Sequence, residues 1–555
     1  MSNGMSFKRW QADAIESLLK LEQIECCLII IDKRKSSGGK VHNLLKKIDT
    51  NILWQAYLLL SVKRFKAAES VNLSGVLTDV PRLECQVIKK GKYSEYFNEY
   101  DISEIKKYNL DFILRFGFGI IRGDILNSSK YGIWSFHHGD EKKYRGGPPC
   151  FWEIYNDDKI TGSIIQRLTN KLDAGVVLKK GFLKTSYSYV KNRDQMYFES
   201  SKWPAQICKD ILNGHIEYLS NEPSKTNAPI YYAPKNHQII YYFIKLNIQR
   251  IKNIFKKLIF IDYWNIGIVS APIHSFLSGK EIQPVTWFPN PPRNVFYADP
   301  FSVVVKGKLY IFFEEYPYKD IKGRIAYTCF ENGCFSVPQT VISESFHLSY
   351  PYILVDKGNI YMIPESSDLN KIILYKAKQF PLIWEKEKVL IDNYSGIDST
   401  LIEYNGVWWM FTSDKAAGAR HNLNIFYSDD LFGEWHPHPQ NPVKTDVRSA
   451  RSAGTPFIYN GELYRPSMDY SEKIEGRITL NKVTTITKMV YSEINQNTVH
   501  PNYGTLYPDK IHTLCEAGNY TIIDGCKETC ILINGSMIKS TFKLILNKLK
   551  ANKNS

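Results

Sequence analysis

No apolar run reaches the eighteen or so residues that a helix needs to cross a bilayer, so a helical channel or carrier is not expected. None of the ten cysteines forms a Cys-x-x-Cys pair, which sets aside zinc ribbons and thioredoxin-type redox centres. The adjacent Cys26 and Cys27 fit reduced thiols better than a disulfide framework. Cys526 and Cys530 lack the further ligands a metal centre requires, and no metal is expected. The opening stretch "MSNGMSFKRWQADAIESLLK" lacks the basic, apolar and small-residue succession of a secretory signal, so the expected location is cytoplasmic. There is no arginine-rich arm, zinc-finger spacing or aromatic RNA-binding motif, and nucleic acid is not expected as a partner.

What is there is a chain of 555 residues, too long for one ordinary core, with a formal charge of +15. That charge is concentrated. Lys235 to Leu258 holds six Lys/Arg and no carboxylate, and Ile531 to Ser555 holds five Lys and none. In the first segment Ile240, Ile244, Ile248, Ile251, Phe255 and Leu258 recur at helical spacing between the cations, and Ile538 to Leu549 repeats the idea. Such a helix either lies on an anionic membrane surface, here the inner face, or packs on its own domain with its lysines in water. Both readings stay open at this point.

Residues 1–215 alternate short apolar runs with helical patterns, which predicts an α/β domain with a mostly parallel sheet. "CCLIIID" (Cys26 to Asp32), "LDFILRFGFGII" (Leu110 to Ile121) and "YGIWSFHH" (Tyr131 to His138) read as strands, the second running into a glycine turn. Ligands of such sheets collect at the carboxyl ends of the strands. His137 and Gly117 to Gly119 fall there, and His137 opens a loop, "HHGDEKKYRGGPP", crowded with charge directly behind a buried strand.

Residues 216–261 form the basic linker, and residues 262–530 change texture to short aromatic strands and turns. "VVVKGKLYIFFEE", "ILVDKGNIYMIPES", "LIEYNGVWWMFTSD" and "FIYNGELYRPSMD" are each strand, glycine turn, strand. Their turn glycines, Gly307, Gly358, Gly406 and Gly461, lie 51, 48 and 55 residues apart, and Gly518 in "EAGNYTIIDG" offers a fifth turn. Hairpins at a period near fifty predict an all-β five-bladed propeller, with the acidic residues that follow each second strand gathered on one face. Residues 531–555 complete the chain as a basic tail.

The segment from Asp111 to Pro149, followed by "ITGSIIQRLTNKLDAGVVL", resembles the formyltransferase family of glycinamide ribonucleotide, methionyl-tRNA and amino-sugar enzymes. His137 falls on that family's histidine, Tyr144-Arg145-Gly146 on Tyr-Arg-Gly, Thr161-Gly162 on Thr-Gly and Asp173 on its aspartate. The resemblance implies a Rossmann-like fold and transfer of a formyl group from 10-formyltetrahydrofolate to an amine. It implies His137 as donor to the formyl oxygen, Asp173 as its orienting acid, and Gly117, Phe118, Gly119 and Ile120 as the loop that holds the pterin. Ser135 stands where the family has asparagine, and Asp140 and Glu141 where it has an apolar loop. Loss of the amide would cost about 10²–10³ in rate unless replaced. Arg145 and Asp140 are then expected to contact the acceptor.

The second half carries a further resemblance. "YADPF", "FHLSYPYIL", "YMIPESS", "IDSTLI", "WWMFTSD" and "RSAGTPF" are similar to the N-terminal domain of plant glucosamine inositolphosphorylceramide transferases, itself related to glycoside hydrolase family 43. This implies sugar binding near Asp299, Glu365 and Asp398. Trp408, Trp409, Tyr361 and Tyr310 are candidates for sugar stacking, against the commoner role of core aromatics. The two halves together predict a formyltransferase acting on an amino sugar or glycan, its propeller holding carbohydrate. The alternative is a glycoside hydrolase, or a glycan-binding protein, with a degenerate first domain.

Overall fold

The computed structural model describes residues 1–34, 40–91, 94–171, 174–279, 284–292, 294–471, 476–501 and 505–530. Asp173 and the tail helix expected at Ile538 to Leu549 lie outside these residues. The chain divides into two compact units, Met1–Ile248 and Gln249–Ser555. The first extends beyond residue 215 because Ile230–Tyr231 pairs with Arg145–Gly146, and because Ile239, Tyr242 and Leu246 are buried with Trp54, Phe151 and Tyr189.

In the first unit Ile113–Arg115 runs parallel to Ile133–His137, which continues through antiparallel Ile160–Arg167 to Val176–Lys184. Ile29–Asp32 is parallel to Arg82–Cys85, and Ser94–Tyr96 to Ile120–Arg122. Ser2 bridges in parallel to Ile31, and the Met1 carbonyl accepts from the amides of Phe116 and Gly117. The sheet is therefore mixed rather than mostly parallel: Val176–Lys184 follows Ile160–Arg167 after eight residues, too few for a parallel crossover, and Ile160–Arg167 itself pairs antiparallel with Ile133–His137. The strand expected from Cys26 begins at Ile29. Ile30, Ile113 and Ile133 belong to one apolar cluster, and the alternating Trp134 packs into another with Trp203 and Ile207.

The second unit is a propeller-type succession of antiparallel sheets. They are led by Val295–Val305, Ser349–Asp356, Gly396–Tyr404 and Phe457–Tyr459. A further sheet joins strands from both ends of the unit, Phe260–Val269 pairing along its whole length with Tyr520–Cys530. The hairpin turns at Lys306-Gly307, Lys357-Gly358, Asn405-Gly406 and Asn460-Gly461 all have positive φ at both central residues. That is the turn whose twist matches flanking strands, and it needs glycine at its second position. The leading strands pack on one another, with Val295–Val305 against Ser349–Asp356 and Leu514–Ala517, so residues from several sheets meet at one place.

Candidate active site

Three leading strands carry the same irregularity. Register slips between Ala298 and Phe301, between Ser349 and Tyr352, and between Ile397 and Thr400. At each slip one non-glycine residue is left-handed: Asp299 at φ 52°, Tyr350 at 46° and Asp398 at 48°. Each sits eight residues before its turn glycine. Left-handed backbone at such residues costs on the order of 1–3 kcal/mol apiece, and three equivalent instances mark a place where the fold sustains strain to aim side chains. In the fourth sheet the related position is Gly454, whose amide donates to the Tyr350 hydroxyl at 2.7 Å and where any Cβ would strike the Leu514 carbonyl.

Seven residues after the turn glycines, on the second strands, come Glu314 and Glu365. Asp299, Glu314 and Asp398 are buried, and Glu365 is nearly so. Asp299, Glu365 and Asp398 lie together, with Glu314; of the acids that close the other second strands, Asp414 accepts from the Ala416 amide and Asp469 pairs with Arg477 instead, and residues that sequence reading did not name complete the cluster. His512 Nδ1 donates to Asp299 Oδ1 at 2.7 Å, and its Nε2 lies 3.9 Å from Asp398 Oδ2. Arg451 pairs with Asp398 through Nε. Asp524 accepts from the backbone amides of His512 at 2.7 Å, Thr513 at 2.9 Å and Asp299 at 3.2 Å. The Gly323 amide donates to His347 Nδ1 at 2.8 Å, which leaves the His347 proton on Nε2, 3.7 Å from Glu314.

Five carboxyls thus face two strong cationic partners, and protons make up most of the difference. Burial, then the neighbouring Asp398, pushes Glu365 up to about 8. Burial and then Asp299 and Glu365 push Glu314 well above the carboxylate range. Asp524 rises to about 6, chiefly through burial. Burial alone would lower His512, but Asp299 outweighs it and holds the imidazolium to about 9. Burial alone would likewise raise Asp299, yet the His512 charge keeps it low. At neutral pH the cluster therefore contains a protonated Glu365 and an ionised Asp299, two carboxyls of opposite charge state. Asp299, His512 and Asp524 offer ligand atoms within 4.8 Å of one another, a donor set that could take a metal ion only if His512 surrendered its proton.

The aromatic candidates sort toward the core. Trp409 and Tyr361 are buried in apolar clusters, with Trp408 and Tyr310 packed against one of them.

In the first unit His137 ends its strand as expected, but its Nε2 bonds the Tyr144 carbonyl at 2.9 Å. Ser135 is buried and its hydroxyl accepts from Arg115 at 2.8 Å. The same guanidinium donates to the carbonyls of Phe118 and Gly119. The Gly119 amide donates to Glu95, which Arg34 holds at 2.6 Å. Ile120 is paired in a strand. The Gly117 amide donates to the Met1 carbonyl, the Gly119 amide to Glu95, and the Phe118 and Gly119 carbonyls accept from Arg115, so a pterin held by these groups would have to displace those contacts. Asp140 and Glu141 both pair with Lys180, at 2.7 and 2.9 Å. Arg145 donates to the Ala228 carbonyl at 3.3 Å. A cavity of about 740 Å³ in this unit is lined by Cys26, Leu28, Leu110, Phe112 and Ile211, and by none of the residues that the sequence marks as site candidates.

Residues 288–503 match the family model described as glucosamine inositolphosphorylceramide transferase 1, N-terminal. The chain joins a formyltransferase-like region to a region of this second kind. The glucosamine inositolphosphorylceramide transferase 1 of Oryza sativa subsp. japonica is 38% identical over 209 residues, 36% of this chain and 28% of that protein. A methionyl-tRNA formyltransferase of Agathobacter rectalis is 29% identical over 121 residues, 21% of this chain and 39% of that protein. The chain therefore spans well under half of either relative. Among solved structures, the family 117 glycoside hydrolase Zg3597 of Zobellia galactanivorans is 16% identical at a TM-score of 0.33, covering 49% of this chain and 91% of that one.

Proposed function

We propose that the second unit is a five-bladed propeller acting on the glycosidic bond of a glycan. Glu365 serves as the acid toward the leaving oxygen and Asp299 as the base toward the incoming hydroxyl or water. The observation that carries this is the convergence of Asp299, Glu314, Glu365 and Asp398 with His512 and Arg451 in one cluster; burial and Asp398 raise Glu365 while His512 keeps Asp299 low, as acid–base cleavage or transfer of a sugar requires. Arg451 pairs with Asp398, and the Asp398 charge adds to burial in holding the Glu365 proton. The test is release of nitrophenol from a panel of nitrophenyl glycosides, glucosaminide included. Wild type should turn over at least one of them, and Glu365→Gln should lose about 10²–10⁴ of that rate. A panel on which wild type and Glu365→Gln are equally inactive sinks the reading.

A second reading, formyl transfer from 10-formyltetrahydrofolate to an amino sugar, is favoured by one observation: His137 stands at the carboxyl end of a sheet strand, within a region that matches formyltransferases in sequence. It requires the Arg115 and Glu95 contacts to open. Loss of 10-formyltetrahydrofolate absorbance with a nucleotide amino sugar present, abolished by His137→Ala, supports it; absorbance unchanged with every acceptor removes it. A cytoplasmic location belongs to both proposals.

A further inference from the structure

The helix Asn236–Ile259 has two apolar faces, and the fold uses one of them. Ile239, Tyr242 and Leu246 are buried against Trp54, Phe151 and Tyr189. The residues that sequence spacing singled out lie on the other face: Ile240, Ile244 and Ile248 are 51%, 53% and 48% exposed. Beside it runs the helix Lys40–Ser61, tied on by a bond from the Leu53 amide to Asn236 Oδ1 at 3.0 Å and by Tyr57 meeting Phe243 edge-on at 5.4 Å. That helix shows the same anomaly. Leu59 and Leu60 are 76% and 80% exposed, and Ile52 and Leu53 are also exposed.

Two adjoining helices thus present isoleucine and leucine to water, where scattered single residues would be ordinary and a continuous patch is not. The charges on these two segments have one sign, and the carboxylates that reach them from elsewhere are already engaged: Asp194 accepts from the Lys66 and Ala67 amides, and Glu528 pairs with Lys256. Between Ile52 and Ala68 there is no carboxylate, while Lys63, Arg64 and Lys66 follow directly on the exposed leucines. Between Pro223 and Ile248 there is none either, while Lys235 stands exposed at the start of the helix and Lys245 donates to the Ile154 and Tyr155 carbonyls. Among the described residues no helix is long and apolar enough to cross a membrane.

We propose that this patch of the first unit docks on an anionic membrane surface. The exposed leucines and isoleucines enter the headgroup boundary, and the lysines and arginines face the phosphates. The charge complementarity selects this occupant: a protein partner would bury apolar area without needing lysine and arginine beside it, whereas an anionic bilayer is held by them. The inference is independent of which chemistry the chain performs.

The test is co-sedimentation of the full-length protein with vesicles of phosphatidylcholine, with and without phosphatidylglycerol. Binding is expected only with the anionic lipid and should fall steeply with added salt. Lys63→Ala and Arg64→Ala should each weaken partitioning roughly fivefold. Leu59→Glu with Leu60→Glu should abolish binding with the melting temperature unchanged, since both side chains are already in water. Absence of binding to anionic vesicles by folded wild type, or equal binding to neutral ones, would overturn the proposal. So would a self-associated species in sedimentation velocity that the double leucine variant dissolves, because a second copy of the chain would then cover the patch.

Discussion

The strand-end loop of the first unit and the acid cluster of the second are built from the same residue types, yet they stand at opposite electrostatic extremes. In the first, the named groups are paired within the protein: Arg115 donates to Ser135 and two carbonyls, the Gly119 amide donates to Glu95, and Lys180 pairs with Asp140 and Glu141. In the second, carboxyls outnumber cations, and the surplus is held as protons on Glu365 and Glu314. A balanced polar network is content with its own partners. An acid-rich buried one holds protons available for chemistry, which is why the second centre carries the functional proposal.

The largest effect should come from unbalancing the acidic centre. Asp398→Asn leaves Arg451, whose side chain is 21% exposed, beside a neutral amide in place of its buried carboxylate and should destabilise the protein by about 1.5–3 kcal/mol in urea unfolding. The matching change in the first unit, Asp140→Asn, leaves Glu141 to pair with a partly exposed Lys180 and should cost no more than about 1 kcal/mol. Equal losses would erase the contrast. Arg115→Met should cost about 1–3 kcal/mol by orphaning Ser135 and the loop carbonyls, and it is the change that could free the loop for a pteridine, read out by folate-analogue binding.

Glu365→Gln sharpens the comparison through pH. The folded state keeps the Glu365 proton up to about 8, whereas the unfolded chain loses it near 4.5, so this group lowers stability progressively as pH rises between those values. The glutamine variant should lack that part of the decline, and any alkaline fall in wild-type activity near pH 8 should reflect the same proton. A variant whose melting temperature tracks wild type across that range contradicts the assignment. The smallest effect belongs to the turns. Gly307→Ala meets open space but keeps a φ of 77°, so about 1 kcal/mol of backbone strain is expected, seen as a modest drop in melting temperature.

The hairpins were legible because a two-residue turn with glycine leaves a local signature, repeated at a near-constant interval. That interval also contained the site: Asp299, Tyr350 and Asp398 share one offset from the turn glycines, and Glu314 and Glu365 share another. Reading the offset in each repeat would have found Glu314 and Tyr350. Nothing local announces His512 or Asp524, since their roles arise only when the last sheet is assembled from the two ends of the unit, nor Arg451, whose partner Asp398 lies on another sheet. The mixed first sheet was hidden for a similar reason. Apolar runs show that strands exist, but the direction in which they pair depends on connections that carry no pattern.

By itself the sequence determined the two kinds of architecture, the repeat, the turns and the acidic residues that close each second strand, because periodicity and turn chemistry are properties of neighbouring residues. Only the tertiary structure decided which carboxyl keeps a proton, which loop fills its own hydrogen bonds, and which face of the basic helix meets water. Those outcomes depend on burial and on charges brought together from distant parts of the chain, and no local pattern records either.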